Sequence, residues 1–274
     1  MTRVVVTGGA TGIGAATVDR LEKRGCQVIV LDVVPPQEAS AGFICCDLSD
    51  PAAIERATSE IDGPIDALVN VAGIPGPRPA EPVVAVNFLG LRALSLKLLP
   101  RIVPGGSLVI VASTAGRDWQ RRSTVVNQLL DTADFESGIT WCRENSGLWD
   151  RDPYTFSKQC AVAWMYRAAG LALPRGVRVN SVSPGGTQTR LTKNFTEQIG
   201  AEQVAWMNER IGRMARPDDI AAIIEFVAIG DCGWLNGIDI VADGGLSAGI
   251  LGGWIDFSQS PAARAKAARQ PTES

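Results

Sequence analysis

The sequence predicts an α/β fold, a doubly wound parallel sheet of about seven strands with helices on both faces. Two observations predict it. Short β-branched runs alternate with longer helix-period stretches over most of the chain. The 274 residues, 46% of them hydrophobic, suffice for one large core. No repeat, low-complexity block or linker divides the chain. Residues 1–250 therefore read as one domain, followed by a C-terminal tail, 251–274.

Arg3–Thr7 is a run of valines stopped by Gly8-Gly9 and reads as the first strand, with a helix over 13–24 behind it. Gln27–Leu31 and Gly42–Cys46 are the next two strands, and a helix over 51–61 follows them. Ile65–Asn70 is the fourth strand and precedes a helix over 82–99; Ser107–Ala112 is the fifth. The helix over 154–170 opens with Asp152 as a cap and Pro153 at its first helical position. Val177–Ser181, helices over 196–212 and 217–228, and Asp239–Val241 complete the alternation. Right-handed crossovers place a ligand at the carboxyl ends of such strands. Three segments depart from the pattern. Residues 74–82 read as a proline-rich loop, and 117–150 intervene between the fifth strand and the following helix. The tail carries a weak basic helix, Arg264 to Arg269, read as a frayed or partner-contacting terminus.

Composition excludes several functions. A net charge of −3 gives no footprint for nucleic acid. The chain has no histidine, which removes Ser-His-Asp hydrolysis and the HExxH zinc proteases together. None of the six cysteines forms a CxxC, so no metal site is expected, and they read as reduced packing residues. No secretory segment opens the sequence, and no apolar run approaches the roughly 18–20 residues that span a bilayer. The expectation is a soluble, cytoplasmic protein with no membrane partner.

The chemistry is concentrated at strand ends. Thr7-Gly8-Gly9-Ala10-Thr11-Gly12-Ile13-Gly14 follows the first strand and opens a helix. Its glycines at 8, 12 and 14 allow a sharp turn and close approach to a pyrophosphate at the helix N-terminus. Asp32 ends the second strand, eighteen residues beyond Gly14, where an acid accepts hydrogen bonds from an adenosine ribose and repels a 2′-phosphate. NAD is thus favoured over NADP. Tyr154 and Lys158 stand four residues apart on one helix face. An ammonium beside a phenol lowers its pKa from about 10 toward working pH, which supplies a general base without histidine.

With Asn70-Val71-Ala72-Gly73, Asn87, Ser113 and Asn180-Ser181-Val182-Ser183-Pro184-Gly185, these motifs fall in the order found in short-chain dehydrogenases/reductases, and the chain resembles that family over residues 3–247. The resemblance implies a Rossmann fold and a role for each matching residue. Tyr154 would transfer the proton, Lys158 would lower its pKa and hold the nicotinamide ribose, and Ser113 would bond the substrate oxygen. Asn87 would hold a water in the proton relay. Gly8, Thr11, Gly12, Ile13 and Gly14 would cradle the pyrophosphate, with Asp32 on the ribose and Asp47 and Leu48 beside the adenine. Asn70 and Gly73 would wall the adenosine side, and Pro184, Gly185, Thr187 and Thr189 would lie beside the nicotinamide. Asn70-Val71 stands where the family usually has Asn-Asn.

Ser113 and Tyr154 are separated by 40 residues, where most of the family has about a dozen. The insertion carries Trp119, Trp141 and Trp149 among other apolar residues, too many to leave in water, and reads as a lid or an interface element. With Pro100–Ser107 and Asn236-Gly237-Ile238 it resembles a small subgroup containing 3α-hydroxysteroid and coniferyl-alcohol dehydrogenases. In the former the insertion covers a helix face that relatives use for assembly. The expectation is an NAD-dependent oxidoreductase, a homodimer or homotetramer, acting on a hydrophobic cyclic secondary alcohol or its ketone. An aryl allylic alcohol dehydrogenase and an NAD-binding protein without turnover are the alternatives. Phe195, Trp206 and Met207 are candidate pocket residues.

Overall fold

The computed structural model describes residues 1–37, 42–76, 79–189, 196 and 200–268, less the side chains of Lys266 and Ala268. Seven strands form one sheet in the order β3-β2-β1-β4-β5-β6-β7, every neighbouring pair parallel. They are β1 (Arg3–Thr7), β2 (Gln27–Asp32), β3 (Gly42–Cys45), β4 (Ile65–Asn70), β5 (Ile102–Val111), β6 (Arg178–Pro184) and β7 (Asp239–Ala242). The valine runs at the centre are covered on both faces, as a parallel sheet requires. Val4 and Val6 of β1 point into one core with Val18 and Leu21 of α1 (Gly12–Lys23). Val5 points into the other with Ile54 of α2 (Pro51–Glu60). The chain reverses its winding between β1 and β4, and the crevice at their carboxyl ends is where a doubly wound sheet takes its ligand.

Most expected elements stand within a few residues of their predicted bounds. The exceptions have physical causes. β5 starts at Ile102 rather than Ser107, because Ile102 already pairs with Ile65 before a bulge resets the register at Ala67. The proline-rich segment ends in α3 (Ala80–Val84), since Pro82 falls in a first turn where its missing N–H has no intrahelical partner to lose. The single helix expected over 82–99 is α3, a π-turn (Ala85–Gly90) and α4 (Leu91–Leu98). The run Ala80–Arg101 is long and apolar enough to cross a membrane, which the sequence reading passes over. It is a core helix here, with 72% of its most apolar window buried.

The insertion is folded. A 3₁₀ turn (Trp119–Arg122) leads to α5 (Ser123–Leu130) and α6 (Phe135–Glu144). α5 packs on the outer side of α7 (Pro153–Ala172), and α6 on α5 and the π-turn. Trp141 and Trp149 stack on Phe156 of α7 at 6.2 and 5.9 Å, and Arg122 lies over the same ring at 5.2 Å. Arg92 of α4 is buried beneath the joint. Its guanidinium donates to the carbonyls of Leu129, Leu130, Thr132 and Asp134, so it terminates α5 and ties the insertion to the core. Most of the insertion's apolar residues thus find a partner surface within the chain, while Leu148 stays exposed.

Beyond β6 come α8 (Ala201–Ile211) and α9 (Pro217–Ile229). α10 (Leu246–Leu251) precedes the tail and α11 (Pro261–Ala268) lies in it, so the terminus is folded as far as the described residues reach. Phe195, residues 197–199 of the helix expected over 196–212, and Arg269 lie outside those residues.

Candidate active site

A cleft of about 600 Å³ opens at the carboxyl ends of β1, β2, β4, β5 and β6. Its floor is the glycine turn. Gly8 has φ +69°, and a Cβ there would stand 2.7 Å from the Ala72 backbone; one on Gly14 would strike the Gly8 carbonyl. Side chains at these two positions would force the turn apart. The Thr11 side chain makes no capping bond, so the amides of the first turn of α1 face the cleft as an anion seat. Thr7 Oγ1 accepts from Val71 N at 3.0 Å and Ala72 N at 3.1 Å, fastening the end of β1 to the end of β4. Sequence reasoning assigns Thr7 no such task, because a threonine ending a strand carries no signal of its own.

Asp32 does two things. One carboxylate oxygen accepts from Ala10 N at 3.0 Å and the other from Val33 N at 2.7 Å, so it braces the glycine turn while facing the cleft. Asp47 and Leu48 line the cleft beyond it, with Asp47 Oδ1 held by Ser49 N at 2.8 Å. The cradle, the amide seat and the acid at the end of β2 fit an adenine dinucleotide.

The other end carries the reactive side chains. Asp152 caps α7 by accepting from Thr155 N at 3.1 Å, and Pro153 fixes its first turn. Tyr154 and Lys158 then face the cleft one turn apart. Ser113 stands beside the Tyr154 phenol, close enough to draw its pKa down, and is itself positioned by Ala115 N at 3.2 Å. Lys158 Nζ donates to Val111 O at 3.1 Å and lies 5.9 Å from the centre of the Tyr154 ring. Gly116 admits this arrangement, since a Cβ there would collide with the Lys158 carbonyl.

The electrostatics correct one expectation. Burial holds the Tyr154 phenol above its ordinary pKa of 10, outweighing the Ser113 hydrogen bond that pulls it down. Burial likewise pushes the Lys158 ammonium down to about 8. In the chain alone, desolvation dominates at both groups and moves each toward its neutral form.

Two further residues stand differently from the expectation. Both amide hydrogens of Asn87 are engaged, by Ile74 O at 3.0 Å and Ser157 Oγ at 3.1 Å, while Oδ1 accepts from Ile74 N at 2.7 Å. The side chain thus pins the loop behind Gly73; a relay water is left its second lone pair or the main-chain carbonyl. Ser157 extends the same chain of bonds to Tyr154 O at 2.8 Å. Asn70 does not line the cleft: its side chain turns into the helical layer and donates to Ser95 Oγ at 3.1 Å. The strand's alternation sends residue 70 to the α4 side and leaves Val71 and Ala72 on the cleft.

The remaining expected residues meet in this cleft: Gly12, Ile13 and Gly73 with Pro184, Gly185, Thr187 and Thr189. Ile74, Pro75, Pro82 and Val86 join them as an apolar wall, to which the sequence reading assigns no role in the site. No described residue of the insertion, 117–150, lines the cleft, so it is not a lid in this conformation. Trp206 packs on Phe257 of the tail, and neither it nor Met207 reaches the cleft. Among the described residues no cluster of His, Cys, Asp and Glu could hold a metal ion.

Comparison with known proteins agrees with this geometry. Residues 2–125 match the short chain dehydrogenase family and residues 138–247 the enoyl-(acyl carrier protein) reductase family. Coniferyl-alcohol dehydrogenase of Pseudomonas sp. (strain HR199 / DSM 7063) is 35% identical over 246 residues, covering 89% of this chain and 96% of that protein. The 3-alpha-hydroxysteroid dehydrogenase/carbonyl reductase of Comamonas testosteroni is 28% identical, covering 90% and 97%. The crystal structure of the 3-alpha-hydroxysteroid dehydrogenase from Pseudomonas sp. B-0831 complexed with NADH superposes with a TM-score of 0.74 at 27% identity, covering 93% of this chain and all of that one.

Proposed function

The chain belongs to the short-chain dehydrogenase/reductase family, an oxidoreductase family whose fold binds a nicotinamide cofactor, and from that premise we propose that it is an NAD-dependent enzyme interconverting a hydrophobic cyclic secondary alcohol and its ketone. One observation carries the reading. A single cleft places Asp32 at one end and the Ser113–Tyr154–Lys158 group at the other, with an apolar wall of Ile74, Pro75, Pro82 and Val86.

Asp32 supports NAD. Its carboxylate would repel a 2′-phosphate, and residues 33–46 contain neither lysine nor arginine to compensate. Among the described residues lining the cleft, Lys158 is the sole cation. The apolar wall supports a ring substrate over a sugar, because polyol hydroxyls set against prolines and valine would lose their hydrogen bonds.

Tyr154 takes the hydroxyl proton of the alcohol. Ser113 donates to the substrate oxygen as negative charge develops there. Lys158 holds the ribose and stabilises the phenolate electrostatically, its cationic form favoured once a negative charge stands beside it. Asn87 keeps Gly73 and Ile74 behind this group. Bound nicotinamide supplies the hydride chemistry.

An aryl allylic alcohol is the second reading, favoured by the 35% identity to coniferyl-alcohol dehydrogenase. Oxidation rates across steroid, terpene, alicyclic and aryl allylic alcohols, each with NAD and NADP, decide between the two. Strong turnover of a cyclic secondary alcohol with NAD alone is expected. Turnover confined to allylic alcohols favours the second reading, and equal use of NADP refutes the role given to Asp32. Tyr154→Phe should bind NADH unchanged and lose roughly a hundredfold or more of turnover; undiminished turnover would sink the mechanism.

A further inference from the structure

No described residue of the insertion lines the cleft, yet one of its helices reaches the cleft wall at one remove. α3 carries part of that wall. Pro82 and Val86 stand four residues apart and line the cleft, while Val83 and Val84 are fully buried. Glu81, one residue round the helix from Pro82, lies off the cleft and meets α6. There Arg143 grips it with both arms of its guanidinium, Nε donating to Oε2 at 2.7 Å and Nη2 to Oε1 at 2.8 Å. The same guanidinium holds the Glu81 carboxyl below its ordinary range, so the pair stays ionised at neutral pH.

α6 is the fixed side of this pair. Its start is closed by Asp134, which accepts from Ser137 N at 2.8 Å, and Arg92 donates to Asp134 O at 2.7 Å. At its middle Gly138 lies against Leu89 of the π-turn, where a Cβ would stand 2.5 Å from Leu89 Cδ2. Near its end Trp149 Nε1 donates to Cys142 O at 3.0 Å, and Trp141 stacks on Phe156. α3, by contrast, has five residues, too few to hold a helix by its own bonds. Its place against the cleft is set by what it packs on, α7 on one side and α6 with Arg143 on the other.

We propose that the insertion shapes the substrate end of the cleft from outside: Arg143 fixes Glu81, and so sets where Pro82 and Val86 stand and how well a ring fits against them. Glu81 and Arg143 are positioning residues in this scheme. A fork of two charge-assisted bonds suits the task, because it fixes the angle of the link as well as its length, which one bond or an apolar contact does not. The proposal rests on the reading that a ring alcohol binds beside Ser113 and Tyr154.

A double-mutant cycle of Glu81→Gln and Arg143→Met tests it. Each single variant should raise the KM for cyclohexanol or coniferyl alcohol, whichever turns over, about two- to fivefold, the range of a well-formed but solvent-facing ion pair. The kcat and the NADH Kd should stay unchanged. The double variant should be no worse than either single one, since the two side chains act as a unit. Amide exchange of residues 83–88, followed with NADH bound, should quicken by a similar factor in both single variants while that of β1 holds. An unchanged KM in an active enzyme overturns the proposal, as do unchanged exchange at 83–88, KM effects that add in the double variant, or an NADH Kd that rises with KM. Faster exchange there in an enzyme that oxidises no alcohol upholds the tie between α6 and α3 and overturns only the proposed reaction.

Discussion

Replacing Lys158 with methionine should destroy activity and relieve the folded chain of a burden that can be read from pH. Lys158 is 5% exposed, and burial sets its ammonium near 8, against 10.5 for the free side chain. At pH 7 both the folded and unfolded chains carry the proton, and the folded one bears the whole desolvation cost, about 3 kcal/mol at 1.36 kcal/mol per pKa unit. The folded pKa is the lower one, so between pH 8 and 10.5 the unfolded chain holds the extra proton and stability contributed by this group rises with pH. From pH 7 to 9.5 that recovery amounts to about 2 kcal/mol. Methionine keeps the length of the stem and has nothing to titrate, though it strips Val111 O of its donor. That loss is the same at every pH. Urea denaturation of both proteins without nucleotide, from pH 7 to 9.5, should therefore show wild type gaining about 2 kcal/mol on the variant. A difference that stays flat with pH would mean that Lys158 is not desolvated in the folded chain, and the argument would fall.

Asp32→Ala should raise the ratio of NADP to NAD in kcat/KM by about tenfold or more, since it removes a charge-assisted ribose contact and a repulsion together. Steady-state kinetics with both coenzymes checks it, and an unchanged ratio counts against the assignment. Arg92→Met should cost about 2–4 kcal/mol, because the carbonyls of Leu129, Leu130, Thr132 and Asp134 lose their donor in a buried joint. The Tm should drop by roughly 5 to 10 °C with NADH affinity kept; a shift under a degree would show the joint to be held otherwise. Thr7→Val should weaken NADH several-fold with little change in Tm, since two backbone amides that shape the cradle lose one shared acceptor. Fluorescence titration of NADH measures it.

The strands, the glycine turn and the Tyr154/Lys158 pair are legible in the sequence because each is written locally, in valine runs, in glycines that a crowded turn requires, and in a four-residue spacing. What the sequence hides depends on contacts between distant segments. Arg92 looks like any helix-surface arginine until residues 129–134 fold over it. Asn70 sits in a cofactor motif, yet its side chain's direction is fixed by strand alternation, which sends it to Ser95. The desolvation that raises Tyr154 and lowers Lys158 belongs to the closed surroundings, so a one-dimensional reading sees only the favourable pairing of charges. Trp206 has the composition of a pocket residue and packs on Phe257, because the tail expected to fray is folded against α8.

The insertion and the lysine belong to one physical problem. A buried ammonium keeps its place only if its surroundings cannot relax around it, for a loosened helix would let water in and return the pKa to its free value. Phe156 lies on α7 between Tyr154 and Lys158 in sequence and, at helical spacing, on the opposite face. The insertion clamps that face with Trp141, Trp149 and Arg122, all against the one ring. On the cleft side, Asn87 reaches the same helix through Ser157. The reactive turn of α7 is thus gripped from both sides, by aromatic stacking behind and by a hydrogen-bonded pin in front. Phe156→Ala should accordingly loosen what the insertion holds and move the Lys158 titration seen in the paired denaturation series back toward 10.5, although residue 156 touches neither reacting group.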